Sequence, residues 1–179
     1  MKNSIKKTTL VLGGARSGKS RFAQNLAENE AGRLVYVATA GAHDAEMEDR
    51  IVRHRMDRGE RWETVEEQTD LAGVIEAHGG TGKVLLVDCL TLWLSNLMLA
   101  ELDLTAARQR LVQALQRQAG QVIFVSNEVG SGIVPETPLG RAFRDEAGRL
   151  NQLLAAEADA VALVVAGLPL WLKGERGRT

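Results

Sequence analysis

Thr8-Thr9-Leu10-Val11-Leu12-Gly13-Gly14-Ala15-Arg16-Ser17-Gly18-Lys19-Ser20 is the stretch that decides the fold. A short aliphatic run ends in glycine, the pattern G-x-x-x-x-G-K-[ST] spans Gly13 to Ser20, and amphipathic sequence follows from Lys19. In a strand that turns into a helix through such a loop, the glycines leave room for backbone N–H groups to point inward, and the helix N-terminus adds partial positive charge. Lys19 then supplies a point charge to the β- and γ-phosphates of a nucleotide, and the Ser20 hydroxyl a ligand for Mg²⁺. The bland alternative is a Gly-rich turn that binds nothing; the strand before it and the helix after it argue against that.

Outward from this cradle, aliphatic runs alternate with longer amphipathic ones, the pattern of βαβ units and a mostly parallel sheet flanked by helices, an α/β fold. Strands are expected at Thr8 to Leu12, Leu34 to Ala38, Val84 to Asp88, Gln121 to Ser126, Val161 to Val165 and Leu170 to Lys173. Helices are expected at Lys19 to Glu30, Asp44 to Arg58, Asp70 to His78, Leu90 to Leu99, Thr105 to Gln118 and Leu139 to Glu157. The 179 residues make one nucleotide-binding domain over 1–179, with a frayed tail from Gly174 to Thr179.

The balance of 22 Lys+Arg against 23 Asp+Glu leaves a formal net charge of -1, too little field to attract nucleic acid or an anionic membrane. Only 4% of residues are aromatic, which removes most stacking material for single strands. The lone Cys89 forms no intrachain disulfide, so a cytoplasmic setting is the default. The longest apolar stretch, Val161 to Leu172, contains Gly167 and Pro169; it reads as a buried strand and its turn rather than a membrane span. Trp93 and Trp171 read as core residues, and Trp62, beside charged neighbours, stays open.

Val84-Leu85-Leu86-Val87-Asp88 is a buried strand ending in a carboxylate, the form of a second magnesium-holding element. The alternative is that Asp88 caps the following helix. Asn127-Glu128-Val129-Gly130-Ser131-Gly132-Ile133-Val134-Pro135 follows another strand at its carboxyl end, where open α/β sheets bind their ligands. Beyond it Arg141, Arg144, Asp145, Arg149 and Asn151 share a helix, either lining that site or forming a salt-laced exposed face.

Glu46, Arg50, His54 and Arg58 are spaced by four on the expected 44–58 helix. An imidazole between guanidinium groups is held neutral on an anion-attracting face, which suits attack on phosphorus. The other reading is a solvated face with a Glu46–Arg50 pair and an idle His54. His43 is an alternative nucleophile, and His78 reads as a helix C-terminal residue favoured by the dipole.

Taken in order, these segments resemble the bifunctional adenosylcobinamide kinase / adenosylcobinamide-phosphate guanylyltransferase family of cobalamin biosynthesis. The resemblance rests on Gly13 to Arg21, Tyr36-Val37-Ala38-Thr39-Ala40, Arg50-Ile51 with His54-Arg55 and Arg58, Asp88-Cys89-Leu90-Thr91, Asn127 to Gly130 with Gly132 to Pro135, and Phe143-Arg144-Asp145 with Gly148 and Asn151-Gln152. Gly59 and Asp88 stand where members of that family often carry proline and sometimes glutamate.

The resemblance implies a RecA-like P-loop architecture and two reactions on one corrinoid. In the first, adenosylcobinamide is phosphorylated by ATP or GTP. In the second, GMP passes from GTP through a covalent GMP-histidine, placed by the resemblance at His54, to the corrinoid phosphate. Lys19 joins His54 as a catalytic residue. The implied nucleotide contacts are Gly13, Gly14, Ala15, Arg16, Ser17, Gly18, Lys19, Ser20, Ala38, Thr39, Ala40, Arg55, Met56, Asp57, Arg58, Glu66 and Asp88, with Mg²⁺ on Ser20 and Asp88. A homo-oligomer is implied, with neither nucleic acid nor membrane insertion. The rival readings are a simple P-loop small-molecule kinase and a nucleotide-driven switch.

Overall fold

The computed structural model describes residues 7–41 and 61–174. Their elements are β1 (Lys7–Gly13), α1 (Lys19–Glu28), β2 (Arg33–Ala38), β3 (Trp62–Glu66), α2 (Leu71–His78), β4 (Lys83–Asp88), α3 (Leu90–Leu99), α4 (Leu104–Arg117), β5 (Gln121–Asn127), α5 (Pro138–Glu157), β6 (Ala160–Val165) and β7 (Leu168–Lys173). The expected 44–58 helix lies outside the described residues.

The strands form one seven-stranded sheet in the order β3-β2-β4-β5-β1-β6-β7. Every pairing is parallel except that of β6 with β7. This is the expected mostly parallel sheet flanked by helices. The aliphatic runs of β1, β4 and β5 are continuous because both faces are covered. On one face Val11, Leu34, Val84, Leu86 and Ile123 pack against Ala23 and Ala27 of α1. On the other, Leu10, Leu85 and Phe124 meet Leu71 and Ile75 of α2, Trp93 of α3, Leu111 of α4 and Leu150 and Leu154 of α5. Trp93 is buried and donates its indole N–H to the Thr69 carbonyl at 2.8 Å.

Three helices start on a side-chain cap: Asp70 accepts from Gly73, Asp103 from Thr105 and Ala106, and Thr137 from Gly140. The helices α1 and α3, which begin at the cradle and just after Asp88, carry no side-chain cap and no acidic residue in the first turn.

Two differences from the sequence reading concern patterning. β3 has no counterpart among the expected strands: Trp62-Glu63-Thr64-Val65-Glu66 is a short edge strand, half-exposed along most of its length, without an aliphatic run. Trp62 braces it, with its ring edge-on to Tyr36 at 6.3 Å and its N–H on Glu28 at 3.3 Å. The Val161 to Leu172 stretch is only half buried. β6 is interior, but after the turn at Ala166 (φ 52) and Gly167 (φ 79) β7 runs back as an exposed outer strand. Leu168, Leu170 and Leu172 are 73%, 60% and 57% exposed. Trp171, expected in the core, lies half-buried on that strand, edge-on to Phe22 of α1 at 5.9 Å. The reason is topological: β7 closes the sheet edge, so no further strand or helix among the described residues covers its outer side.

Candidate active site

The carboxyl ends of β1, β4 and β5 build the site. The turn from β1 into α1 adopts the conformation its glycines permit: Arg16 has φ 55 and Gly18 φ 91, both left-handed. A Cβ on Gly13 would fall 2.4 Å from Ser17 Oγ and 2.7 Å from the Val164 carbonyl, so only glycine lets the strand end and the loop meet. Lys19 is buried, and its ammonium donates to the Gly14 carbonyl at 3.0 Å, inside the loop. Ser20 is exposed at the first turn of α1, where helix geometry leaves the backbone N–H groups without intrahelical acceptors. An uncapped N-terminus, a curled loop and an inward ammonium are together suited to hold an anion.

The sheet order inserts β5 between the cradle strand and β4. Gly13 pairs in register with Asn127, whereas Asp88 pairs with Val125. Asp88 is therefore two strand spacings from β1, about 10 Å laterally. In the other direction Ala38 pairs with both Asp88 and Glu66, so Glu66, Ala38 and Asp88 share one row across β3, β2 and β4. Asp88 Oδ and Ser20 Oγ offer hard oxygen donors of the kind Mg²⁺ takes alongside phosphate oxygens. Among the described residues no group of three His, Cys, Asp or Glu side chains is arranged to hold a metal.

Thr39 also has a structural task. It is fully buried; its hydroxyl donates to the Cys89 carbonyl at 2.7 Å and accepts the Cys89 N–H at 2.8 Å. Its own carbonyl accepts from Asn96 Nδ2 at 2.8 Å. This strut ties the end of β2 to the peptide after Asp88. Burial, then the neighbouring Asp88 charge, pushes the Cys89 thiol up, so it stays protonated and is no nucleophile.

The end of β5 is pinned in the same way. The Glu128 N–H donates to the Gly13 carbonyl at 3.0 Å, the Asn127 N–H to Thr91 Oγ1 at 2.8 Å, and Ser126 Oγ to Asn151 Oδ1 at 2.7 Å. The Glu128 carboxylate takes the N–H groups of Gly130 and Ser131, and hydrogen bonding from Ser131 above all holds its pKa below the usual carboxylate range. Thr91 and Asn151 belong to segments quoted above without a role; their signal is a polar residue amid apolar helix sequence. Arg141 donates to the Pro135 and Glu136 carbonyls, while Arg144 pairs with Asp145, and Arg149 with Glu146. The charged face of α5 thus splits into a loop clasp and surface pairs.

His54, Arg55, Met56, Asp57 and Arg58 lie outside the described residues, as does His43. His78 ends α2 with Nδ1 3.6 Å from Glu63 Oε1, towards the opposite end of the sheet from the cradle.

A family model described as "Cobinamide kinase / cobinamide phosphate guanyltransferase" matches residues 9–172. The chain belongs to this family. Relatives of this cobinamide kinase / guanyltransferase member agree along its length. The bifunctional adenosylcobalamin biosynthesis protein CobP of Pseudomonas aeruginosa is 48% identical over 93% of this chain and 97% of its own. CobU of Escherichia coli K12, a bifunctional adenosylcobalamin biosynthesis protein by name, is 42% identical over 92% of this chain and 98% of its own. Among solved structures, an ATPase domain superposes with a TM-score of 0.53 over 96% of this chain and 78% of that one. At 13% identity this is a likeness of fold, a P-loop ATPase sheet. The family member's cradle, Asp88 row and pinned β5 end thus stand on a P-loop scaffold. No helix among the described residues is long and apolar enough to cross a membrane.

Proposed function

We propose that this one nucleotide-binding unit carries out both family reactions in turn on a single corrinoid. The observation that carries the reading is the curled loop with buried Lys19 facing an uncapped helix N-terminus, one strand removed from Asp88. In the kinase step the hydroxyl of the aminopropanol arm of adenosylcobinamide attacks the γ-phosphorus of ATP or GTP. The bond from that phosphorus to the bridging oxygen breaks, and the hydroxyl proton passes to solvent. Lys19 and the α1 N–H groups neutralise charge on the phosphoryl oxygens, which is most of what this loose transition state requires. Mg²⁺, held by Ser20 and Asp88, supplies further charge neutralisation when bound.

In the transfer step a ring nitrogen of His54 attacks the α-phosphorus of GTP, forming an N–P bond as the bond to the β-phosphate oxygen breaks and pyrophosphate leaves. The corrinoid phosphate oxygen then displaces His54, giving adenosyl-GDP-cobinamide. Ala38, Thr39, Ala40, Arg55 to Arg58, Glu66 and Asp88 are the assigned guanine nucleotide contacts. The Thr39 side chain serves besides as a strut to Cys89. We place the enzyme in the cytoplasm as a homo-oligomer, a reading supported by its single cysteine and by the apolar outer strand β7.

The test uses GTP labelled on the α-phosphate. After denaturation the protein retains label that is acid-labile and base-stable, as a phosphoramidate is, and peptide mapping finds it on His54. Label that washes off entirely, with corrinoid phosphorylation intact, returns the protein to the simple kinases.

A further inference from the structure

The phosphate cradle accounts for the triphosphate, but nothing in it holds a large acceptor. Two apolar surfaces flank it on the carboxyl edge of the sheet. One belongs to β7, where Leu168, Leu170 and Leu172 continue away from the cradle along an open strand edge. A ladder of that form suits another polypeptide. The other is the tip of the loop between β5 and α5, where Ile133 is 97% and Val134 60% exposed.

Both ends of that loop are fixed by hydrogen bonds. At its start the Glu128 carboxylate takes the Gly130 N–H at 2.7 Å and the Ser131 N–H at 3.3 Å. At its end Arg141 Nη1 donates to the Pro135 carbonyl at 3.0 Å and the Glu136 carbonyl at 2.7 Å. The loop root is the Glu128 N–H on Gly13, the first residue of the cradle. Two adjacent aliphatic side chains stand in water there, on a loop clasped at both ends and rooted in the cradle, free to meet an apolar surface of a bound molecule.

We infer that Ile133 and Val134 form a docking surface for the corrin ring of the acceptor; this rests on the kinase and guanylyltransferase reading. A corrin is a broad ring with a methyl-studded rim, and its aminopropanol arm must reach the γ-phosphate while the ring stays outside. An apolar tip on a loop rooted in the cradle meets that demand, and having the loop's ends fixed beforehand spares part of the entropy of ordering it on binding.

The experiment is equilibrium dialysis of cobinamide, which needs no turnover, against wild type, Ile133→Ser/Val134→Ser and the conservative Ile133→Leu/Val134→Ile. Steady-state kinase assays and sedimentation accompany it. The serine pair is expected to weaken cobinamide binding and raise its KM about tenfold or more. The KM for nucleotide, the melting temperature and the sedimentation coefficient stay at wild-type values, and the conservative pair binds as wild type does. Unchanged cobinamide affinity in the serine pair, or no binding by wild type, overturns the assignment. So does a fall in sedimentation coefficient or melting temperature, which would make the tip a subunit contact or part of the packed fold. Failure of the catalytic reading registers separately, as cobinamide that binds wild type but is never phosphorylated.

Discussion

The Gly167 N–H donates to the Ser17 carbonyl at 2.8 Å, joining the β6–β7 turn to the phosphate loop. The same turn stands against Gly18: a Cβ there would lie 3.1 Å from Gly167 Cα, and Gly18 has φ 91. Gly18→Ala therefore meets both backbone strain and a neighbour braced by the sheet. Nucleotide affinity is expected to fall about 5- to 150-fold, since strain of this kind costs on the order of 1–3 kcal/mol. Isothermal titration with a non-hydrolysable GTP analogue checks it, and wild-type affinity would show that the turn yields.

Asp88→Asn keeps the shape and removes the charge. Its carboxylate ends β4 rather than capping α3, whose N-cap is Cys89 without a side-chain bond. Turnover should need far more magnesium while the melting temperature stays within a few degrees. A sharp fall in melting temperature with unchanged magnesium dependence would make Asp88 structural.

Separation of the two activities distinguishes His54 from Lys19. His54→Ala is expected to phosphorylate cobinamide and trap no α-label, because in-line γ-transfer needs no covalent residue. Lys19→Ala loses both, since both reactions draw on one cradle. Paired kinase and trapping assays read this, with His78→Ala as the control that traps label normally. A Lys19→Ala protein that keeps either activity near wild type would reveal a second nucleotide site.

Thr39→Val deletes a hydroxyl that serves the N–H and the C=O of one buried residue, orphaning the Cys89 N–H while its carbonyl keeps the Trp93 N–H at 3.2 Å. The cost is about 1–3 kcal/mol, which lowers the melting temperature by roughly 2–12 °C. Thr39→Ser keeps the hydroxyl and should recover most of the loss. Calorimetry of the pair decides whether the strut carries that weight.

Glu67 accepts the Thr69 N–H and hydroxyl and the Asp70 N–H, and the backbone bond from Thr69 chiefly holds its pKa below the usual carboxylate value. A depressed folded pKa adds stability above the unfolded value, and that stability is lost as pH falls through the folded one. Wild type should melt higher than Glu67→Gln at neutral pH, and the two curves should converge on acidification. Parallel curves down to strong acid would count against it.

The cradle is legible in the sequence because G-x-x-x-x-G-K-[ST] is contiguous and its flanks carry the periods of strand and helix. Asp88 is legible because a buried strand that ends in a charge is unusual. The strut of Thr39 on Cys89, the row of Glu66 and Ala38 with Asp88, and the bond from Gly167 to Ser17 are not. Each depends on which strands are neighbours, and strand order is set by packing across the whole sheet. β3 stays hidden because five residues of mixed polarity offer too few repeats to display a period. The exposure of β7 escapes for a related reason: an apolar run announces burial only when something lies on both sides of it.

That outer strand has a bearing on how the protein survives at high concentration. Three leucines on an open edge invite unlimited strand-by-strand growth between molecules, but Pro169 withholds an amide near the start of β7. At its end the Lys173 ammonium reaches back to the Ala155 and Ala156 carbonyls, fastening the strand to the end of α5. The edge can adhere through its side chains and yet is a poor template for a fibre.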